Sequence, residues 1–169
     1  QWNGQLYAHF DYTDIAAWRS WVQFPVLFPH GIGALRIWVN FRRGEITETI
    51  ADVELSQVKT QLGEDLEVLD LEALKGRVTW KLLNHGFEVT TSKLGMTAQG
   101  GLVLQPADLQ LRLFQATGTK PGRGELTVSA LDLEPLRALS DHLPLDAGLR
   151  KELATYAPRG GLYDLAVKW

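Results

Sequence analysis

The chain contains no cysteine and a single methionine among 169 residues, which excludes a disulfide framework and a thiolate metal site. No apolar run approaches the roughly 20 residues that a membrane-crossing helix needs, and Gln1 does not open a charged, then apolar, then small-residue leader. Neither sign of charge dominates. Seventeen Lys and Arg stand against 20 Asp and Glu, for a net charge of -3, and the basic residues are scattered. Such a chain builds no field able to hold a phosphate backbone, so nucleic acid is not expected as a partner. The 45% hydrophobic and 22% charged residues fit an ordinary globular chain, long enough to bury a real interior.

Alternation of apolar and polar residues is abundant. Gln5 to Tyr12 sets Leu6, Ala8, Phe10 and Tyr12 against Gln5, Tyr7, His9 and Asp11. Thr13 or Asp14 can cap a short helix over Ile15 to Val22, with Ile15, Trp18 and Val22 at helical spacing and Pro25 and Pro29 ending it. Ala34 to Arg42 is the clearest strand, and Arg43-Gly44 reads as a turn into a second long strand, Glu45 to about Leu62. A change of phase between Ile50 and Val53 suggests a bulge there. Leu66 to Leu74 fits a strand or a connecting turn. Arg77 to Leu83 alternates again, and Asn84-His85-Gly86 turns the chain into Phe87 to Thr91. Gly100-Gly101 and Pro106 separate Leu102 to Leu104 from Leu109 to Phe114, and the loop Gly118 to Gly124 leads into Glu125 to Ala130.

The last third turns helical. Leu133, Leu136 and Leu139 suit one short helix. Leu149, Leu153 and Tyr156 suit another capped by Asp146, before Pro158 and Gly160-Gly161 and a final strand. Strand, helix, proline-glycine and strand thus occur twice, so possible repeat units 4–42 and 124–169 flank a β-meander over 44–114. The expected fold is mainly β with short helices: a twisted, curled antiparallel sheet, groove or half-pipe, with helices at its edges or ends. Gln1 to Gly4 stands directly before a strand pattern and Leu165 to Trp169 still alternates. The 169 residues are therefore expected to be a single internal fragment of a larger, repeat-built protein.

Residues capable of chemistry are dispersed. His9, His30, His85 and His142 are far apart, and none stands at metal-ligand spacing with another ligand. Gly31-Ile-Gly33 is followed by a strand pattern where a dinucleotide loop requires a helix, and Gly118 to Gly124 has no Gly-Lys-Ser/Thr. No serine occupies a Gly-x-Ser-x-Gly elbow. Asp11 and Asp14, like Glu64, Asp65 and Glu67, sit where capping and solvated carboxylates are common. No catalytic residue, cofactor or metal is therefore expected. Of the six tryptophans, Trp18 and Trp21 fit the first helix and Trp2 the start of the chain. Trp38 and Trp169 are expected opposite their strands' aliphatic rows, near Arg36 and Lys168, as rings at a boundary between apolar and wet regions.

Asp11-Tyr-Thr-Asp-Ile-Ala-Ala-Trp18, Pro29-His-Gly-Ile-Gly-Ala-Leu-Arg-Ile-Trp38, Leu143-Pro-Leu145 and Ala157-Pro-Arg-Gly160 resemble the YhdP family of AsmA-like proteins, nearly end to end. The resemblance implies a large protein anchored in the inner membrane of Gram-negative bacteria with its bulk in the periplasm, related in architecture to TamB and to bridge-like lipid transfer proteins. It implies a groove that moves phospholipid between inner and outer membranes and supports outer-membrane integrity, and it supplies no catalytic residues. A continuous apolar strip can shield acyl chains from water without chemistry. The candidate groove residues are Leu35, Ile37, Val39 and Phe41, with Val78, Trp80 and Leu82 and with Leu109, Leu111 and Leu113. The same rows equally suit a closed core under the helices. The expected partners are phospholipid acyl chains, neighbouring repeats of the chain and other envelope proteins. The competing function is an assembly scaffold that binds another envelope protein by strand addition.

Overall fold

A computed structural model describes residues 2–20, 27–118, 121–143 and 145–169. Within them eight strands form one antiparallel sheet whose spatial order is the order of the sequence. The strands are β1 (Asn3–Asp14), β2 (Leu27–Arg42), β3 (Glu45–Gln61), β4 (Leu69–Leu83), β5 (Gly86–Ala98), β6 (Val103–Phe114), β7 (Arg123–Asp132) and β8 (Gly161–Lys168). Helical structure is short: α1 (Leu133–Ala138), α2 (Ala147–Tyr156), and 3-10 turns at Ile15–Ser20 and Ser140–His142. The sheet is open, with β1 and β8 at its edges.

A sequential antiparallel meander sends every odd-numbered strand toward the same rim. The connections fall into two classes. Arg43-Gly44, Asn84-His85 and the β6–β7 loop lie at one rim, here the hairpin rim. The 3-10 turn at Ile15–Ser20, the segment joining β3 to β4, the short Gly100-Gly101 turn between β5 and β6, and α1 with α2 lie at the other, the helical rim. Both strand–helix–strand segments, 4–42 and 124–169, are antiparallel neighbours whose helical matter projects from the helical rim.

Local chemistry explains the turns and caps. Arg43 (φ 57) and Gly44 (φ 86) both have positive φ, the conformation whose twist matches a two-residue hairpin. A Cβ on Gly86 would stand 2.1 Å from the Leu113 carbonyl oxygen, so close approach of β6 requires glycine there. Asp132 accepts from the Glu134 amide at 3.2 Å, and Asp146 accepts from the Leu149 amide at 3.0 Å. These caps start the two helices.

Several expectations change. The first helix is a 3-10 turn; Trp21, Val22 and Pro25 lie outside the described residues. The stretch from Leu66 is a turn, closed by the Leu66 amide on the Gly63 carbonyl, and the strand starts at Leu69. Pro106 does not divide two strands. It sits within β6 at a register shift against β5 and before pairing with β7 begins at Leu109, where no amide hydrogen is required of it. No bulge falls between Ile50 and Val53, which pair in register with Trp38 and Leu35. Ile50 simply belongs to the other face. The break in alternation comes at Gln57 (φ 52), after which Val58 shares a core with Leu55.

That core is small and lies at the helical rim. Ile15, Leu55, Val58, Leu69, Leu71, Ala98 and Leu139 form it, with Val53, Leu74 and Leu143 packed against them. Val58 is 0% and Leu71 1% exposed. Leu71→Ala should therefore cost about 2–5 kcal/mol in urea unfolding, and Leu82→Ala, at 44% exposure near the hairpin rim, well under half as much. Equal losses would contradict a core confined to one rim.

Candidate functional site

Residues paired across an antiparallel ladder project from the same side of the sheet, so register alone assigns faces. One row runs Ala8, Ile37, Ala51, Val78, Thr91, Leu109, Val128 and Leu165. The next runs Leu6, Val39, Thr49, Trp80, Val89, Leu111, Leu126 and Val167. Nearer the hairpin rim, Leu82, Phe87 and Leu113 continue the surface to Gly124, while Phe41 pairs with Gly4. All ten candidate groove residues therefore occupy one face, and the rows are apolar or threonine from edge to edge.

This face is largely open. Leu35 is buried, but Ile37, Val39, Phe41, Val78, Trp80, Leu109, Leu111 and Leu113 are half-buried and Leu82 is exposed. Among the described residues the helices pack at its helical end, α1 beside β7 and the first 3-10 turn beside β2. The two sequence alternatives divide the sheet between them. A closed core occupies the helical end, and the remaining apolar face faces outward.

Aromatic rings finish this face at both edges. Trp2 lies over Gly4 and 5.7 Å from the ring of Phe41. Trp169, whose backbone pairs with Gly124 through both hydrogen bonds, lays its ring where a Gly124 side chain would be. The ring of Trp169 thus shares the side of Val167, contrary to the expectation that it opposes that row. Trp38 does take the opposite face, with Tyr7 at 5.2 Å and the Arg77 guanidinium at 5.8 Å.

The second face is polar and bonded across strands. Gln5 donates to Asn40 at 2.9 Å and Asn40 to Glu48 at 2.7 Å. Arg112 reaches Glu88 at 2.5 Å and Glu125 at 3.8 Å, and Lys168 reaches Glu125 at 3.9 Å. At mid-sheet Arg77 makes two parallel bonds to Asp52, Nε to Oδ1 at 2.5 Å and an outer nitrogen to Oδ2 at 2.8 Å. These bonds hold the Asp52 carboxyl below its usual range against partial burial, and the charges of Arg77 and Arg36 add to the effect. Glu88 in turn raises the pKa of Arg112. A hollow of about 840 Å³ is lined by His9, Arg36, Asp52, Lys75 and Arg77 of this side together with Leu35, Val53, Met96 and Leu104 of the apolar rows.

The histidines do not converge. His9 pairs with Asp11 at 3.2 Å and His142 with Glu67 at 4.0 Å, while His30 is in β2 and His85 in a hairpin turn. Among the described residues no group of three or more His, Asp or Glu is disposed to hold a metal ion, and no helix is long and apolar enough to cross a membrane. The apolar members contributed by β1, β3, β5, β7 and β8 were not among the sequence candidates. Alternation marked Leu6, Ala8 and Phe10 as one face, but joining them to Ile37 required the register.

The chain matches a known family over residues 1–169, described as the YhdP protein. No curated protein and no solved structure matches it.

The Asp52–Arg77 pair gives the polar face a pH signature. A carboxyl whose pKa is lowered by folding stabilises the fold fully above its unfolded pKa, and the contribution is lost as pH falls through the lower, folded value. Arg77→Gln should cost no more than about 1 kcal/mol at neutral pH, since the pair is partly solvated, and should flatten the stability loss between neutrality and strong acid. Acid titration of unfolding free energy checks this; identical slopes in both proteins would refute it.

Proposed function

The chain belongs to the YhdP family, and from that premise we propose that it is a segment of a periplasmic, AsmA-like envelope protein that carries phospholipid acyl chains along its apolar sheet face. The parent protein is anchored in the inner membrane, and the movement of lipid between inner and outer membranes sustains the outer membrane. One observation carries this reading: the apolar face runs unbroken in register across all eight strands and is only half-buried. A monomeric globular sheet that exposes so continuous a surface has an apolar occupant to shield. Each methylene removed from water on such a face gains about 0.8 kcal/mol, without demanding a particular chain position. That indifference suits passage along the sheet. No step of bond making is needed, and the segment is not an enzyme.

The open edges favour a second reading, a scaffold that captures another envelope protein by strand addition, because β1 and β8 each present one unpaired side. Lipid content separates the two. Native mass spectrometry of the chain purified from a bacterial host should show bound phospholipid. Ile37→Asp with Val39→Asp, on the apolar face, should abolish it in a protein that remains folded by circular dichroism, while Thr90→Asp, on the polar face, should retain it. A folded wild-type chain that carries no lipid and takes none from vesicles would defeat the lipid reading.

A further inference from the structure

Two segments from opposite edges of the sheet meet over the helical end of the apolar face. The 3-10 turn between β1 and β2 brings Ile15, and the chain between β7 and β8 brings Leu139 and Leu143. What they cover is the inward continuation of that face. Leu55, Leu74, Met96 and Leu104 pair in one row across β3 to β6. Leu71 pairs with Ala98, two residues beyond Met96 and hence on the same side, and Val58 pairs with Leu71. The two covers are seated differently. Ile15 is wedged: a Cβ on Gly31 would stand 2.7 Å from its Cδ1, and Asp14 caps its turn by accepting from the Ala16 amide at 2.9 Å. The other cover is a strap over 133–143, anchored at β7 by the Asp132 cap and by the Leu133 amide on the Gly160 carbonyl at 3.0 Å. It passes the ends of β6 and β5 to the segment before β4, three strands or about 14 Å away. There its polar anchors are slight. The Glu67 amide points at the Asp141 carbonyl at 3.5 Å, outside the usual hydrogen-bond range, and the exposed Glu67 carboxylate stands 4.0 Å from His142 Nε2. His142 Nδ1 is buried with no partner among the described residues. Leu139, in the core, is what holds the far end down.

We propose, on the basis of the lipid reading above, that the space under Leu139 is a second acyl subsite, filled in this structure by the leucine itself. The end of an acyl chain displaces Leu139, the strap swings on its anchor at Asp132, and the chain takes the leucine's place against Leu55, Val58 and Leu71. Continuity identifies the occupant, because these rows prolong the face that carries acyl chains farther out. The exchange is of one aliphatic group for another, so Val58 and Leu71 stay out of water throughout. The side chains of this core are all aliphatic, and the backbone of a peptide entering it would find no side chain to bond. Leu139 therefore competes with lipid for the inner rows, and the apparent affinity of the subsite falls with the fraction of molecules whose strap is down. Ile15, wedged against Gly31, stays in place and forms the fixed wall.

The test fastens the strap on the whole chain. Since the chain has no cysteine, E67C/H142C supplies a unique thiol pair that a short bis-maleimide can join. The probe is a phosphatidylglycerol vesicle containing a trace of the same lipid with a diazirine at its acyl terminus, and labelled peptides are located by mass spectrometry. The unbridged variant should carry label on outer rungs such as Ile37 and Val78 and on the inner rows at Leu55 and Leu71. Bridging should lower the inner label about tenfold and leave the outer label unchanged, and L139A, folded by circular dichroism, should raise the inner label about tenfold over wild type. A leucine with a purely structural role would lower stability on truncation without drawing lipid inward. The bridged comparison uses one protein in two states and decides the matter even where L139A does not fold. Inner label that survives bridging, or that a folded L139A fails to raise, would overturn displacement by the strap. Outer label with no inner label in any variant would overturn the subsite and leave the open acyl face standing. No label anywhere would overturn both.

Discussion

Register is the constraint on which the rest of this structure depends. Side chains in a strand alternate with a period of two, so a one-residue slip at any of seven pairings would turn every later strand over. Here the pairing is kept through the centre of the sheet, and it shifts toward the rims, as between β5 and β6 at Thr91 and Leu94 and between β2 and β3 at Asn40 and Phe41. The positive-φ turn at Arg43-Gly44 and the close packing at Gly86 fix the hairpins that set it. The polar face supplies a second restraint. Arg77 on Asp52 and Arg112 between Glu88 and Glu125 span adjacent strands and satisfy their partners only in this alignment.

A conventional domain would spend its apolar residues on one closed interior. This chain closes only the helical end, where the change of phase at Gln57 brings Val58 and Leu71 inward with Ile15 and Leu139 over them. The open remainder is bounded by Trp2 and Trp169, each ring lying over a glycine. Stability thus draws chiefly on the residues of the closed end. The closed end supplies cooperative burial, and the half-buried open face adds less to it.

The sequence displayed most of the strands because alternation is a local property. Leu35 to Phe41, Val78 to Leu82 and Leu109 to Leu113 could each be read as half of a sheet face without knowing any neighbour, and Asp146 announced its helix by the capping rule. That all three runs share one face was not legible, since it depends on sums of residue numbers across turns. Three local readings failed for physical reasons. Ile50 looked like a slip in phase but is an apolar residue placed beside Trp38 on the polar side. Pro106 looked like a boundary, but a strand tolerates proline where no partner needs its amide. Trp169 looked like a member of the opposite face until its backbone pairing with Gly124 showed where the ring had to go. The true irregularity, Gln57, left no trace in residue type.

Because the spatial order of the strands is their order in the sequence, such a sheet can change length without redesign. Duplicating any one hairpin inserts two strands, about 10 Å of new width. Two strands restore both direction and side, so every old turn stays on its old rim and every old apolar row still meets its counterpart. Inserting a single strand would exchange the rims of all that follows. The meander therefore permits growth by tandem gene duplication in even steps, and descendants of different lengths keep the helical segments on one rim.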